Sequence, residues 1–365
     1  MTPWQVGGGA EYQISLLIDA LVALRCFEVY LLAHHVSDSV VPQGYRVVRI
    51  GSGERMPTLG YVMDYAPLYR ALREIRPQAI YQRVGGGYTG ISAWYAKRRR
   101  VPLVWHVSHD TDVTPETLDT GRNLLRRRLE KFSIRLGIRW ADRIVVQTQH
   151  QADLLMRHYG RAADMLIPNF HPEAQEPIDK SGHPTVVWIA NLKRWKRPEI
   201  FVRLASKLRD LEGVQFLMVG EEPSGRKDER WRGELLQAIA ATPNLTYVGK
   251  RSQGEVNQLL ARASIFVNTS AHEGFPNTFI QAWMREAAIV SLDVNPDRVL
   301  DVEEVGIHAG SEEELERAVR RLLTQSDLRS RYVARARAYV KAHHSLQNAA
   351  RLAQLIQASA ARSIP

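Results

Sequence analysis

The chain has 365 residues, 45% of them hydrophobic, so it can bury a sizeable core, and its length favours two domains over one. With 49 Lys and Arg against 39 Asp and Glu the formal net charge is +10, which suggests an acidic partner. Cys26 is the only cysteine, which excludes an internal disulfide and suits a reducing interior; the opening Met1-Thr2-Pro3-Trp4-Gln5 has neither the basic nor the apolar region of a secretory signal; and the longest apolar stretch, 14–32, is broken by Asp19, Arg25 and Glu28 and does not span a bilayer.

Along the chain, short apolar β-rich runs alternate with amphipathic helical stretches, the pattern of parallel sheets flanked by helices. Strands are predicted at 28–33, 45–50, 79–83, 103–107 and 143–147, and again at 185–189, 215–219, 245–248, 265–268 and 289–292. Between the two sets, residues 168–177 are rich in proline and poor in aliphatic side chains and read as a linker. The expected organisation is therefore a first α/β domain at 1–170, a second at 178–345, and a C-terminal helix within 346–365 that folds back onto the first domain. Both halves read as doubly wound folds, in which ligands bind beyond the carboxyl ends of the strands, so the cleft between domains is the predicted site.

The positive charge is clustered. Lys97-Arg98-Arg99-Arg100 is followed by Arg122, Arg126-Arg127-Arg128, Lys131, Arg135 and Arg139, with Leu124, Leu125, Leu129, Phe132 and Leu136 interleaved. Such a basic amphipathic helix suits an anionic membrane surface, and equally a solvated helix with its apolar face in the core. Nucleic acid would match the charge, yet no helix-turn-helix, RNP or zinc pattern accompanies it, so no nucleic-acid partner is expected.

Chemistry-bearing residues concentrate at strand ends. Trp105-His106-Val107-Ser108-His109-Asp110-Thr111-Asp112 follows a buried strand, with His106 and His109 as candidates to face the cleft. Lys193, Arg194, Lys196 and Arg197 lie just beyond the first strand of the second half, before a helix that Pro198 can initiate; cations there can take up diphosphate charge. The most informative stretch is Glu273-Gly274-Phe275-Pro276-Asn277-Thr278-Phe279-Ile280-Gln281: a lone carboxylate on a Gly/Pro loop that opens into an amphipathic helix. Free backbone N–H groups and the positive end of the helix dipole make an anion site there, while Glu273 would bond sugar hydroxyls and Gln281, a turn into the helix, a ribose.

This stretch resembles the Glu-x7-Glu motif of the retaining GT-B glycosyltransferases, specifically glycosyltransferase family 4 (glycosyl transferases group 1), with Gln281 in the second glutamate's place. The likeness extends over most of the chain. Ala141-Asp142-Arg143-Ile144-Val145-Val146, Tyr159-Gly160 and Ile167-Pro168-Asn169 resemble the end of the family's first domain, and Val219-Gly220 and Val248-Gly249 its nucleotide-side turns. Gly7-Gly8-Gly9-Ala10-Glu11 resembles the glycine-rich turn after the family's first strand, but only six residues precede it, so that strand is missing; a misplaced start is the favoured reading, a sheet without a central strand the other. The resemblance implies that Lys196 binds phosphate, that His109 or His106 contacts the donor sugar, and that Arg194, Gly8, Gly9, Gly274, Phe275, Pro276, Asn277 and Arg251 line the nucleotide site. Departures are Asn191 where the family has an arginine, Gln281, Glu286 in place of a helix-end glycine, and Ala288 in place of proline. A left-handed cap at Glu286 would cost about 1 kcal/mol relative to glycine, whereas a carboxylate at 281 should serve as well as the amide, since both accept hydrogen bonds.

The expectation is a metal-independent enzyme with no cofactor, moving a sugar from a nucleoside diphosphate to a glycan or lipid-linked acceptor at the cytoplasmic side of a membrane. Asp110-Thr111-Asp112 spells the metal-binding triplet of the GT-A fold, but the doubly wound pair of domains argues against that class, and no zinc pattern is present. The rival readings are a catalytically inactive GT-B subunit that binds a sugar nucleotide, suggested by the departures, and a nucleic-acid-binding protein, which the fold class disfavours.

Overall fold

The computed structural model describes residues 8–33, 42–50, 64–115, 124–223 and 228–361. It divides into two compact units, one of residues 1–170 with 346–365 and one of 171–345.

In the first unit, β1 (Val29–Ala33) pairs with β2 (Tyr45–Arg49), and β3 (Ile80–Arg83), β4 (Leu103–His106), β5 (Arg143–Val146) and β6 (Met165–Leu166) form a second parallel sheet in that order. Among the described residues these sheets are separate, and the six residues that precede the glycine-rich turn, together with Gly7, lie outside the described residues. Val104 and Val145 face one way, towards Leu16, Leu17 and the C-terminal helix Gln347–Ala361, whereas Trp105, Ile144 and Val146 face the other. That alternation is the two-residue period of a strand buried on both faces. The helix Gly9–Ala23 is clamped by Gln13, whose amide donates to Phe170 O at 2.8 Å and accepts from Phe170 N at 3.1 Å.

The second unit is one six-stranded parallel sheet in the order β12 (Gly306–His308), β11 (Ala288–Ser291), β10 (Ile265–Asn268), β7 (Thr185–Ile189), β8 (Gln215–Val219), β9 (Leu245–Tyr247). The chain winds outward from β7 through β8 and β9, then returns to the other side of β7 with β10, so the strand order reverses between β7 and β10. Register aligns Val187 with Phe266 on one side and Leu217 on the other. Val187 and Phe266 join Phe279 and Trp283 on one face, and Trp188 joins Phe201 and Phe216 on the opposite face. Gly220 follows β8 because a Cβ there would sit 1.8 Å from the Ala190 carbonyl oxygen, and Gly249 follows β9 with φ +71°, a conformation side chains rarely adopt.

Candidate functional site

In doubly wound sheets the loops beyond the reversal point open outward and leave a crevice for ligand. Here those loops are the ones after β7 and β10, and they are bolted together. Ala271 N donates to Trp195 O at 2.8 Å, and Thr269 Oγ1 donates to Lys196 O at 2.7 Å while accepting from Trp188 Nε1 at 2.9 Å. Arg197, in the left-handed region at φ 49°, donates through Nε to Thr269 O at 2.7 Å and pairs with Asp293, and Pro198 then starts the next helix.

This bracing brings together the two predicted residues that lie 77 positions apart. Lys196 Nζ stands 2.5 Å from Glu273 Oε1, with 14% and 17% of the two side chains exposed. Ser270 Oγ donates to the same oxygen at 2.7 Å, and Asn268 Nδ2 reaches it at 3.4 Å. The ammonium also lies 4.1 Å from the Trp195 ring centroid, and Trp195 stacks on His272. Burial pushes the Lys196 amine down from its ordinary pKa, and the Glu273 carboxylate partly offsets this. Neither Asn268 nor Ser270 carries a spacing signal; only their place in the polar run Asn268-Thr269-Ser270 at a strand end marks them.

Gly274 and Pro276 lead into the helix Asn277–Met284, whose first turn offers backbone N–H groups beside Glu273. The Phe275 side chain instead turns into the core against Trp283 and His344, so that residue can serve a ligand only through its backbone. The Asn277 side chain faces His171 Nε2 at 3.3 Å, and burial pushes His171 down to about 3, leaving it neutral. Gln281 is buried and donates through Nε2 to Gln253 and Asn257. That revises the expectation for this position, because a carboxylate has no donor to offer these two oxygens.

Two further predicted residues of this unit stand apart from the pair. Arg194 is exposed, bonded to Asp228 at 3.1 Å and lying over the Trp231 ring, and Arg251 is held by Lys250 O and Glu255. Glu286 does adopt the left-handed cap, at φ 57°, and its carboxylate accepts from Arg337 at 2.7 Å.

The remaining predicted residues lie in the first unit. Gly8 caps the helix that Gly9 begins, and both are exposed. His106 is fully buried, its Nδ1 reached by Tyr81 at 2.9 Å and Arg83 at 3.2 Å, and burial with the Arg83 charge holds its pKa well below the ordinary value. His109 is half-buried, and its Nδ1 accepts from Thr111 N at 3.3 Å, which places the proton of the neutral ring on Nε2. Of the Asp110-Thr111-Asp112 triplet, Asp112 is spent on the backbone N–H groups of Ser108 and His109, at 2.9 and 3.0 Å, and burial raises its carboxyl to about 6. Among the described residues no group of three metal-ligating side chains converges.

A family model described as glycosyl transferase 4-like domain matches residues 8–169, and one described as glycosyl transferases group 1 matches 183–325. The chain belongs to the group 1 glycosyl transferases. It is 24% identical over 169 residues, 46% of its length and 48% of the relative's, to glycosyltransferase 1 domain-containing protein 1 of Xenopus tropicalis. The chain spans about half the length of the curated relatives it matches. Among solved structures, HepE of Anabaena in complex with UDP and glucose superposes with a TM-score of 0.78 at 17% identity, covering 97% of each chain. WaaG, a glycosyltransferase involved in lipopolysaccharide biosynthesis, does so with a TM-score of 0.77 at 16% identity, covering 98% of each. The fold of this group 1 chain is GT-B: two parallel-sheet α/β domains with flanking helices.

Proposed function

We propose that this chain is a retaining, metal-independent glycosyltransferase that moves a hexose or related sugar from a nucleoside diphosphate to a glycan or lipid-linked acceptor of a cell-surface polysaccharide pathway. The observation that carries the reading is the Lys196–Glu273 pair at the reversal point of the second sheet, beside a helix N-terminus. When the sugar–phosphate bond breaks, the electron pair stays with the diphosphate. Lys196, released from Glu273, and the N–H groups of the Asn277–Met284 helix then stabilise the growing negative charge more in the transition state than in the substrate. Glu273 is placed to accept from sugar hydroxyls at the centre whose bond breaks. With the diphosphate charge met by these groups and Asp112 committed to backbone amides, no metal or other cofactor is required by the reading. HepE, with its UDP and glucose, and WaaG, in lipopolysaccharide biosynthesis, support a nucleotide-sugar donor and a surface glycan as product.

The test is turnover of a panel of nucleotide sugars in the presence of EDTA, with the product anomer assigned by NMR. Retention and undiminished turnover are expected. An inverted product, or activity abolished by EDTA and restored by a divalent ion, removes those parts of the reading. Tight nucleotide-sugar binding with neither transfer nor donor hydrolysis favours the inactive-subunit alternative, for which the closed Lys196–Glu273 pair is the specific observation.

Lys196→Ala is expected to weaken nucleoside diphosphate binding by about 10- to 100-fold, the scale of a charge-assisted hydrogen bond, with little change for the nucleoside. Equal losses for both ligands in calorimetry would exclude the phosphate role.

The acceptor side of the proposal rests on the helix Leu124–Trp140. Its inward face packs Ile134 and Ile138 into the core, and Gly90 and Gly137 let it approach the helix Gly87–Arg99 closely: a Cβ on Gly137 would meet Thr89 Cγ2 at 2.2 Å. Its outward face presents Arg128, Phe132, Arg135 and Arg139 at helical spacing, with Phe132 58% exposed. The side chains of Leu124, Leu125, Arg126 and Arg127, and all of Arg122, lie outside the described residues. A solvated helix accounts for the arginines, and an anionic bilayer would accommodate both the arginines and the phenylalanine among them. No described helix is long and apolar enough to cross a membrane, so contact would be peripheral. Glutamine at 128, 135 and 139 together is expected to reduce binding to phosphatidylserine vesicles by more than about 100-fold, at roughly 1 kcal/mol per cation. Unchanged sedimentation of that variant, or no vesicle binding by the wild type at low salt, would discard the membrane role.

A further inference from the structure

Arg194, Trp195 and Lys196 form a single 3-10 turn between Lys193 and Arg197, in which successive side chains diverge by about 120°. The Lys196 ammonium nevertheless lies over the indole of its own neighbour, 4.1 Å from the ring centroid, because its flexible stem folds back. Arg194, at the start of the turn, goes elsewhere: it bonds Asp228 and covers Trp231. Trp195 is tied twice into the facing loop. Its carbonyl oxygen accepts from Ala271 N at 2.8 Å, and its ring stacks on that of His272, with centroids 5.2 Å apart and planes 7° from parallel. The next residue is Glu273. One aromatic ring thus links the cation after β7 to the loop after β10 that carries the carboxylate.

The Lys196 side chain is 14% exposed, so little water stands ready to replace a partner that the ammonium loses. Among the described residues, Glu273 at 2.5 Å and the Trp195 indole are the groups that hold it. The two holds differ in kind. A hydrogen bond to a carboxylate fixes distance and direction, whereas attraction to the quadrupole of a ring is spread over its face and lets a compact ammonium slide. In the proposed transfer Glu273 turns to the sugar and the ammonium to the diphosphate, so the ion pair opens. The ring then keeps a mostly buried cation from being stranded or from swinging out to solvent. An aliphatic residue of similar size would fill the space without any pull on the charge.

We infer that Trp195 is a positioning residue of the donor site: its indole face holds the Lys196 ammonium while that ammonium passes from Glu273 to the diphosphate of the ligand. This rests on the proposed glycosyl transfer, with Lys196 as the phosphate-binding cation. His272 braces the ring from the loop after β10, so the same stack that steadies the cation also steadies the residue next to Glu273.

The experiment measures UDP, GDP and ADP and their nucleosides by calorimetry, and carries the best-bound pair through the variants. Trp195→Leu is expected to lower diphosphate affinity about tenfold, the scale of a partly desolvated cation–π contact, and to leave the nucleoside within about twofold. Trp195→Phe, which keeps a ring face, should recover most of the loss. In the Lys196→Ala background Trp195→Leu should cost nothing further, because the ring then has no cation to hold. If the melting curve shows Trp195→Leu unfolded, fluorinated tryptophan incorporated throughout keeps the shape of the indole and withdraws charge from its face. The preference for diphosphate over nucleoside should then fall in the wild type and stay level in Trp195→Phe. A wild type that binds no nucleoside diphosphate overturns the donor reading and this inference together. Diphosphate binding that Lys196→Ala leaves unchanged removes the phosphate role of the lysine and this inference with it. A Trp195→Leu loss shared by the nucleoside, or one that adds in full to that of Lys196→Ala, overturns the inference alone.

Discussion

Glu273→Gln is expected to lower the transfer rate by about 10²- to 10³-fold, the range found when one preorganised electrostatic group is lost from a transition state. Nucleotide affinity should hardly fall, while the thermal midpoint should drop somewhat, because the buried Lys196 ammonium loses its counter-charge. The reason is that glutamine keeps the acceptor that Ser270 Oγ and Lys196 Nζ use, so the two loops remain joined, while the charge that meets the reacting sugar is gone. The change therefore separates charge from shape. A uniform loss of binding would place the effect on the ground state, whereas a fall in kcat and kcat/KM together places it on the transition state. The assay begins with measurable turnover of the wild type. A glutamine variant that retains half of that turnover would remove Glu273 from the chemistry.

The parts of this fold that the sequence made legible share a physical cause. The runs at 185–189, 215–219 and 265–268 are apolar except at one end, at Thr185, Gln215 and Asn268, because β7, β8 and β10 are interior strands of a sheet covered on both faces, and such runs stand out against amphipathic helices. Met165–Leu166 and Gly306–His308 have too few residues to display a period, and the equally short edge strand Leu245–Tyr247 stands out only as part of the run that continues through Val248. Glu286 was readable as a left-handed cap because the helix ends on it, and its cost is met by a bond from Arg337 that no local pattern announces.

The site divides in the same way. Glu273 and Lys196 are visible because each stands in a loop between a strand and a helix, a place fixed by local order alone. The ion pair between Glu176 and Arg285 joins positions 109 apart, and a proline-rich stretch gives no sign that one of its two carboxylates is held by a guanidinium in the fold. Phe275 was read as a ligand contact for the opposite reason: its motif position is informative about the backbone, and only packing decides where the ring goes. Arg194 was expected to line the nucleotide site, yet it bonds Asp228, and the neighbouring Arg197 is the arginine that reaches the loop after β10.

Trp283→Ala is expected to destabilise the second unit by about 3 to 5 kcal/mol, the range for deleting a large aromatic from a core. Trp283 is fully buried on the helix Asn277–Met284; its ring lies 5.7 Å from Phe279, 6.1 Å from Phe275 and 5.5 Å from Tyr339, and Nε1 donates to Val305 O at 2.8 Å. Truncation would leave a cavity that three aromatic neighbours cannot close without moving, and a buried carbonyl that loses its donor. Trp283→Phe should cost less, because most of the ring contacts survive and the Val305 oxygen alone is stranded. The effect should also reach the ligand, since Phe275 in the loop that carries Glu273 leans on this indole; weaker nucleotide binding is expected even at temperatures where the variant is folded. Urea unfolding followed by tryptophan fluorescence and by circular dichroism would measure the loss, with both probes needed because two compact units need not unfold together. A midpoint shift worth less than about 1 kcal/mol for Trp283→Ala would mean that the helix Asn277–Met284 is not held by this packing.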